Sequence, residues 1–307
     1  MRYLAPALLL TLLLAGCSLG PGSEQSGDVS LTVTKDFGAK QLERASNRTF
    51  PDGETVMRYL QRTADNVDTT YGGKFVNSID GVSGSDNSDW FYYVNGIEAE
   101  VGAAEYELSP GDRAWWDHHR WDNAMRIPAV VGSFPEPFIH GERGKRFPVR
   151  VDCASDAEAA CDRLERALED AGIAPSKAAL GSVTGENVLR FVVGTWKQVR
   201  VDKSIAVLEQ GPARSGVFAR PVENAAGQYD FELLRADGSV ARTLGAGGGL
   251  LAATRFKDQA PAWEVTGTDA AGLDRAVALV RAKLLRNRFA IASDGAPIAL
   301  PVQGGGR

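Results

Sequence analysis

Asp117-His118-His119-Arg120-Trp121-Asp122 gathers carboxylates and imidazoles, side chains that suit zinc or copper. Successive residues of a strand face opposite ways, so His118 and His119 do not share one ion, and His140 is the only other histidine. No metal site is expected here, and the segment reads as a solvated strand end. Gly245-Ala246-Gly247-Gly248-Gly249-Leu250 has the composition of a phosphate loop, but Leu250 stands where the dinucleotide fingerprint needs its third glycine, and no Gly-Lys-Ser follows. A flexible turn is expected, with an anion-binding nest of backbone amides as the alternative. Gly81-Val82-Ser83-Gly84-Ser85 lacks the closing glycine of a nucleophile elbow. Without a Ser/His/Asp set, a cysteine nucleophile or paired carboxylates, no catalytic residue and no cofactor are assigned, and the chain is expected not to be an enzyme. An enzymatic C-terminal domain is the poorest reading, because none of its many acidic residues is set apart by spacing.

The aromatic residues offer binding chemistry instead. Trp90, Tyr92, Tyr93, Trp115, Trp116 and Trp121 fall within one short stretch. Alternation places Trp90, Tyr92 and Val94 on one face of a strand and Phe91 and Tyr93 on the other, with Trp115 and Trp116 opposed. One sheet face packs a helix and the other meets solvent or ligand, so Trp90, Tyr92, Tyr93 and Trp116 are the expected ligand-binding residues. The alternative is that the rings only fill the core and sheet surface.

At the N-terminus Arg2 supplies a positive start, Leu8 to Leu14 an apolar run, and Ala15-Gly16 a small-residue cleavage site directly before Cys17. The run is shorter than the roughly 20 residues of a membrane-spanning helix. Leu14-Ala15-Gly16-Cys17 resembles a bacterial lipoprotein signal. The resemblance implies removal of residues 1–16, a diacylglycerol on the Cys17 thiol, and a protein held by its lipid on the extracytoplasmic face of the cell membrane. A plain secretory signal with an incidental cysteine is the competing reading. With Cys17 so assigned, Cys153 and Cys161 form an even pair in an oxidising compartment, which fits a short-loop disulfide. Two buried free thiols are the alternative.

The chain of 307 residues, 24% charged and 44% hydrophobic, has material for two cores. A net charge of -5 without a dense Lys/Arg block argues against nucleic acid as a partner. Residues 17–28 read as a flexible tether. A strand through Val29, Leu31 and Val33, a helix over Glu54 to Arg62, a strand over Lys74 to Ile79, and a hairpin turning at Asn95-Gly96 follow, with Asn95 holding the turn. A strand carrying Trp115 closes a first domain over residues 29–126. Residues 127–146, with three prolines, read as a linker. Residues 147–300 then read as an α/β domain of two strand-helix-strand units, about 147–193 and 262–292, with a hairpin around Ala236-Asp237-Gly238. The class is α+β, a β-grasp-like domain followed by a separate α/β domain.

Trp90-Phe91-Tyr92-Tyr93-Val94-Asn95-Gly96, Val101-Gly102, Tyr106 and Pro110-Gly111-Asp112 before a Trp-bearing strand carry a family resemblance. Residues 29–122 resemble the transcobalamin-like C-terminal domain, a β-grasp module of bacterial surface proteins and animal cobalamin carriers. The resemblance implies a module that binds or presents a ligand without catalytic residues, with a corrinoid such as cobalamin as the ligand of the animal carriers. The expectation is a non-enzymatic surface lipoprotein that binds a small molecule and serves a membrane importer. The alternative is a protein-interaction or envelope-assembly module with no small ligand.

Overall fold

A computed structural model describes residues 23–257 and 259–304. The expected signal over residues 1–16 and the lipidated Cys17 lie outside the described residues. The first sheet has five strands, ordered Lys40–Pro51, Glu24–Lys35, Arg113–Arg120, Ser88–Val94 and Ile97–Glu98. Two of its strands, Glu24–Lys35 and Arg113–Arg120, run parallel, and their outer neighbours pair antiparallel. Val29, Leu31 and Val33 project to one face, where the helix Val56–Thr63 seats Val56, Met57, Tyr59 and Leu60 on them. Thr55 starts that helix by accepting a hydrogen bond from the Arg58 amide at 3.2 Å. Asn95 and Gly96 both have positive φ, the geometry of a tight hairpin turn.

The first strand begins at Glu24, inside the segment expected to be a tether. Glu24, Gln25 and Ser26 pair with Pro51, Phe50 and Thr49. Backbone pairing, not apolar burial, holds this end, so its polar composition reads as linker.

The second domain is built on a seven-stranded sheet. Its order is Ser176–Ala179, Val149–Cys153, Leu189–Thr195, Ala262–Gly267, Gly249–Thr254, Ala290–Ser293 and Pro297–Leu300. The first four are parallel and the remaining neighbours antiparallel. Helices Glu158–Asp170 and Ala270–Ala278 cover one face over Val151, Phe191, Trp263 and Val265. A three-stranded sheet, Ala219–Glu223, Tyr229–Leu234 and Val240–Leu244, covers the other. Both strand-helix-strand units therefore share one sheet, and the class is α+β with several sheets. Among the described residues no helix is long and apolar enough to cross a membrane.

The segment 127–146, expected to be a linker, is packed into the core. Phe138 stacks on Phe191 at 4.4 Å and meets Trp263 edge-on at 4.9 Å. The Val130 amide donates to Gly96 O at 2.8 Å and the Val131 amide to Phe289 O at 3.2 Å, one bond into each domain. Its prolines mark irregular backbone, and its apolar residues belong to the core.

Candidate functional site

Alternation gives the five-stranded sheet a second face, away from its helix. Ser30, Thr32 and Thr34 stand there from one strand and Arg113, Trp115, Asp117 and His119 from the next, with Phe91 and Tyr93 beyond. Part of this face docks on the second domain. Phe37, in a turn where Asp36, Phe37 and Gly38 all have positive φ, stacks on His119 at 4.6 Å and meets Phe218 and Phe289 edge-on at 5.0 and 5.3 Å. Tyr93 and Trp115 meet the same Phe289 at 5.6 and 5.2 Å.

Asp117, fully buried, holds that turn in place. Its carboxylate accepts from the Phe37 and Gly38 amides at 3.0 and 2.8 Å, from the Thr34 hydroxyl at 2.5 Å, and pairs with His119 Nδ1 at 2.8 Å. From the sequence, a solvated strand end is expected at this position. The structure uses these side chains as an internal brace, because both carboxylate oxygens are engaged by the chain itself. Among the described residues no group of three or more His, Cys, Asp or Glu side chains could hold a metal ion.

The rest of the face stays open and becomes the floor of a cleft of about 470 Å³. Ser30, Thr32, Arg44, Ser46 and Arg113 line it from the sheet, and the segment around Gly132–Pro135 with His140 lines a side. Ala282, Arg286 and Asn287 close it from the second domain. Two glycines permit the close approach that forms it. A Cβ on Gly132 would come within 2.6 Å of the Trp115 ring and 2.8 Å of the Arg288 backbone. One on Gly38 would come within 2.0 Å of Asn287 O.

Arg113 is held by its own surroundings, its Nη1 donating to Ser133 O and Phe134 O at 3.2 Å each. Arg44 and Arg286 have no ion-pair partner among the described residues. Two carboxylates share the lining. One is Asp28, and the other, buried Glu136, is occupied by the His140 amide at 2.9 Å and His140 Nδ1 at 2.8 Å. A site with this composition can bind and orient a polar molecule.

The four aromatic residues expected to bind ligand do not gather in the cleft. Trp90 and Trp116 are buried beneath the helix, and Tyr92, partly buried, stacks on Trp116 at 5.0 Å. Trp90 Nε1 donates to Val82 O at 3.0 Å, and the Tyr92 hydroxyl donates to Val101 O. Tyr93 lies on the opposite face, fully buried between the domains. The four rings form no common solvent-facing platform: Trp90 and Trp116 are covered by the helix and the 99–108 segment, Tyr93 by the second domain, and Tyr92 alone keeps part of its surface exposed. Trp115, whose ring the sequence left unassigned, is the aromatic that lines the cleft from the sheet.

In the glycine-rich turn the Gly247 and Gly248 amides donate to Asp269 Oδ2 at 2.8 Å and Thr268 Oγ1 at 3.0 Å. Those donors are spent, which removes the anion-nest alternative for them. Cys153 and Cys161 are bonded, with Cα atoms 6.3 Å apart. The cleft arginines escaped sequence reasoning. The readable signal was the Ser30-x-Thr32-x-Thr34 alternation opposite an apolar face, which marks a polar sheet surface without saying what stands over it.

A family model described as "Domain of unknown function (DUF4430)" matches residues 53–120, from the turn before the helix to the end of the strand bearing Trp115. The match leaves the second domain outside it. No curated protein matches the chain. Among solved structures, the crystal structure of a "putative metal binding protein" from Ruminococcus gnavus ATCC 29149 is similar at 15% identity. The similarity covers 31% of this chain and 98% of that one, with a TM-score of 0.24.

Proposed function

We propose that this chain is a non-enzymatic lipoprotein of the extracytoplasmic face of a bacterial membrane, which captures a small molecule in the cleft beneath its second domain and serves a membrane importer. The observation that carries the reading is the cleft itself. Its volume of about 470 Å³ falls in the range of small-molecule sites, and its floor is a polar sheet face that the adjoining domain leaves uncovered. The lipoprotein-like Leu14-Ala15-Gly16-Cys17 supports the location, and the transcobalamin-like pattern within residues 29–122 supports a ligand-presenting module. A corrinoid ligand rests on that resemblance alone.

Native mass spectrometry of protein drawn gently from its own membranes tests this. Wild-type protein is expected to carry an acyl-modified N-terminus and a non-covalent small-molecule mass. Ser46→Trp, which places a large ring on the cleft floor, is expected to lose the small molecule and keep the acyl chains. Retention of the same mass by Ser46→Trp, or recovery of a stoichiometric polypeptide with no small molecule, contradicts the proposal. A tryptophan-fluorescence change when cobalamin is added to stripped protein decides the corrinoid version.

A further inference from the structure

Ser30 is the centre of one cross-strand row on the cleft floor and Thr32 of the next. Ser30 pairs with Arg113 on one side and Ser46 on the other, and Thr32 pairs with Trp115 and Arg44. All six residues line the cleft. Paired residues of neighbouring strands project from the same sheet face. The floor is thus a two-by-three patch with hydroxyls down its middle and Arg113 and Arg44 at diagonal corners. Strands lie about 4.8 Å apart, so these corners are separated by two strand spacings and one two-residue step, a span that two long side chains can close over a small ligand.

Arg286 faces this patch from the second domain, beside Asn287. Three arginines therefore line one cleft, while one of its two carboxylates, Glu136, is already engaged by His140. In a chain of net charge -5, many arginines satisfy themselves internally, as in Arg62 with Glu54, Arg120 with Asp122 and Arg200 with Glu209. Arg44, Arg113 and Arg286 have no such carboxylate among the described residues. Each guanidinium is a planar fork that fits two oxygens of a carboxylate or phosphate, and the Arg113 fork is already oriented by the Ser133 and Phe134 carbonyls.

Taking the cleft as the ligand site, we propose that its ligand carries a doubly charged anionic group, a phosphate ester or a dicarboxylate, clamped by Arg44, Arg113 and Arg286 over the Ser30 and Thr32 hydroxyls. Discrimination against neutral analogues follows, since a neutral ligand leaves the arginine forks without a charge-assisted partner.

Calorimetric titration of stripped full-length protein with inorganic phosphate, succinate and glucose tests the proposal, and the better anion identifies which of the two groups the site prefers. One of the anions is expected to bind in wild type, more weakly as salt rises, and glucose not at all. The Arg44→Gln/Arg286→Gln variant, altered only at positions without an ion-pair partner, is expected to bind that anion at least about tenfold more weakly, and Arg44→Lys to show a smaller loss. Equal binding by wild type and the double variant overturns the anion clamp. If a neutral natural load is bound by wild type and lost in Ser46→Trp, the clamp fails while the cleft stands as the ligand site. If neither a natural load nor any of the three probes binds, both fall together.

Discussion

Glu264 sits at the centre of the seven-stranded sheet, opposite Val192 and Ala252, completely buried on the face toward the three-stranded sheet. Near it, Arg190 bonds Asp152 at 3.1 Å and Asp202 at 2.7 Å, and Arg150 bonds Asp152 at 2.6 Å. Two guanidinium groups are thereby matched by two aspartates, and the third acid has no counterion. Neither Glu264 carboxylate oxygen has a hydrogen-bond partner, and the neighbouring Thr254 hydroxyl gives its proton to Ser204 O at 2.8 Å. Burial pushes the Glu264 carboxyl up to about 8, with the negative charge of Asp202 adding to the effect. Folding therefore tightens its hold on the proton. The stability this provides is complete below the ordinary value of 4.5 and is lost as pH rises through about 8. Glu264→Gln, which cannot ionise, should match wild type in urea unfolding near pH 4 and exceed it progressively as pH rises. The gap should widen by about 1.4 kcal/mol per pH unit until Glu264 ionises in the folded protein. A constant difference across that range would show that Glu264 does not titrate with folding. Asp112, pushed up to about 6 by burial, acts in the same direction, so the difference between the two proteins is the quantity to follow. Such residues are the least legible in sequence: Glu264 alternates with Trp263 and Val265 like any solvent-facing strand residue, and only the second sheet packed over it makes it internal.

At the scale of elements, local pattern served well where one signal dominated. The helix Glu158–Asp170 buries Ala160, Cys161, Leu164 and Leu168, a helical i, i+1, i+4, i+8 spacing of apolar residues, and brings Cys161 to the strand bearing Cys153. The Asp269 side chain caps the helix Ala270–Ala278 by accepting from the Gly272 amide at 2.8 Å. Peptide mapping without reduction should recover Cys153 and Cys161 linked, and the Cys153→Ala/Cys161→Ala variant should lose about 2 to 3 kcal/mol of stability for this short loop. Alkylation of both thiols in the untreated native protein would contradict the bond. Two strands were not legible. Lys40–Pro51 is an edge strand with few apolar residues, held by its pairing with Glu24–Lys35. Gly249–Thr254 is made of small and aliphatic residues behind a glycine run, and it is small for a reason: a Cβ on Gly249 would come within 2.5 Å of Gly272 O. The site shared this fate, since Arg44 lies on the first of these strands.

Across the whole molecule, the two domains are joined by burial rather than by a tether. Phe37 contributes on the order of 2 to 3 kcal/mol by leaving water, and it is aimed by Asp117 in one domain at Phe218 and Phe289 in the other. Residues 127–146 run between the domains as shared core. That docking consumes the aromatic part of the sheet face and spares the hydroxyl-lined part, so the open cleft, and with it the proposed ligand site, lies at the junction and not on the exposed aromatic platform that composition suggested. The most direct test is a crystal structure of wild-type protein purified gently enough to keep its natural load. Density for a small molecule is expected over Ser30 and Thr32, with an anionic group in contact with Arg113 and at least one of Arg44 and Arg286. A load bound elsewhere on the protein, with only water in this cleft, would contradict the proposed site.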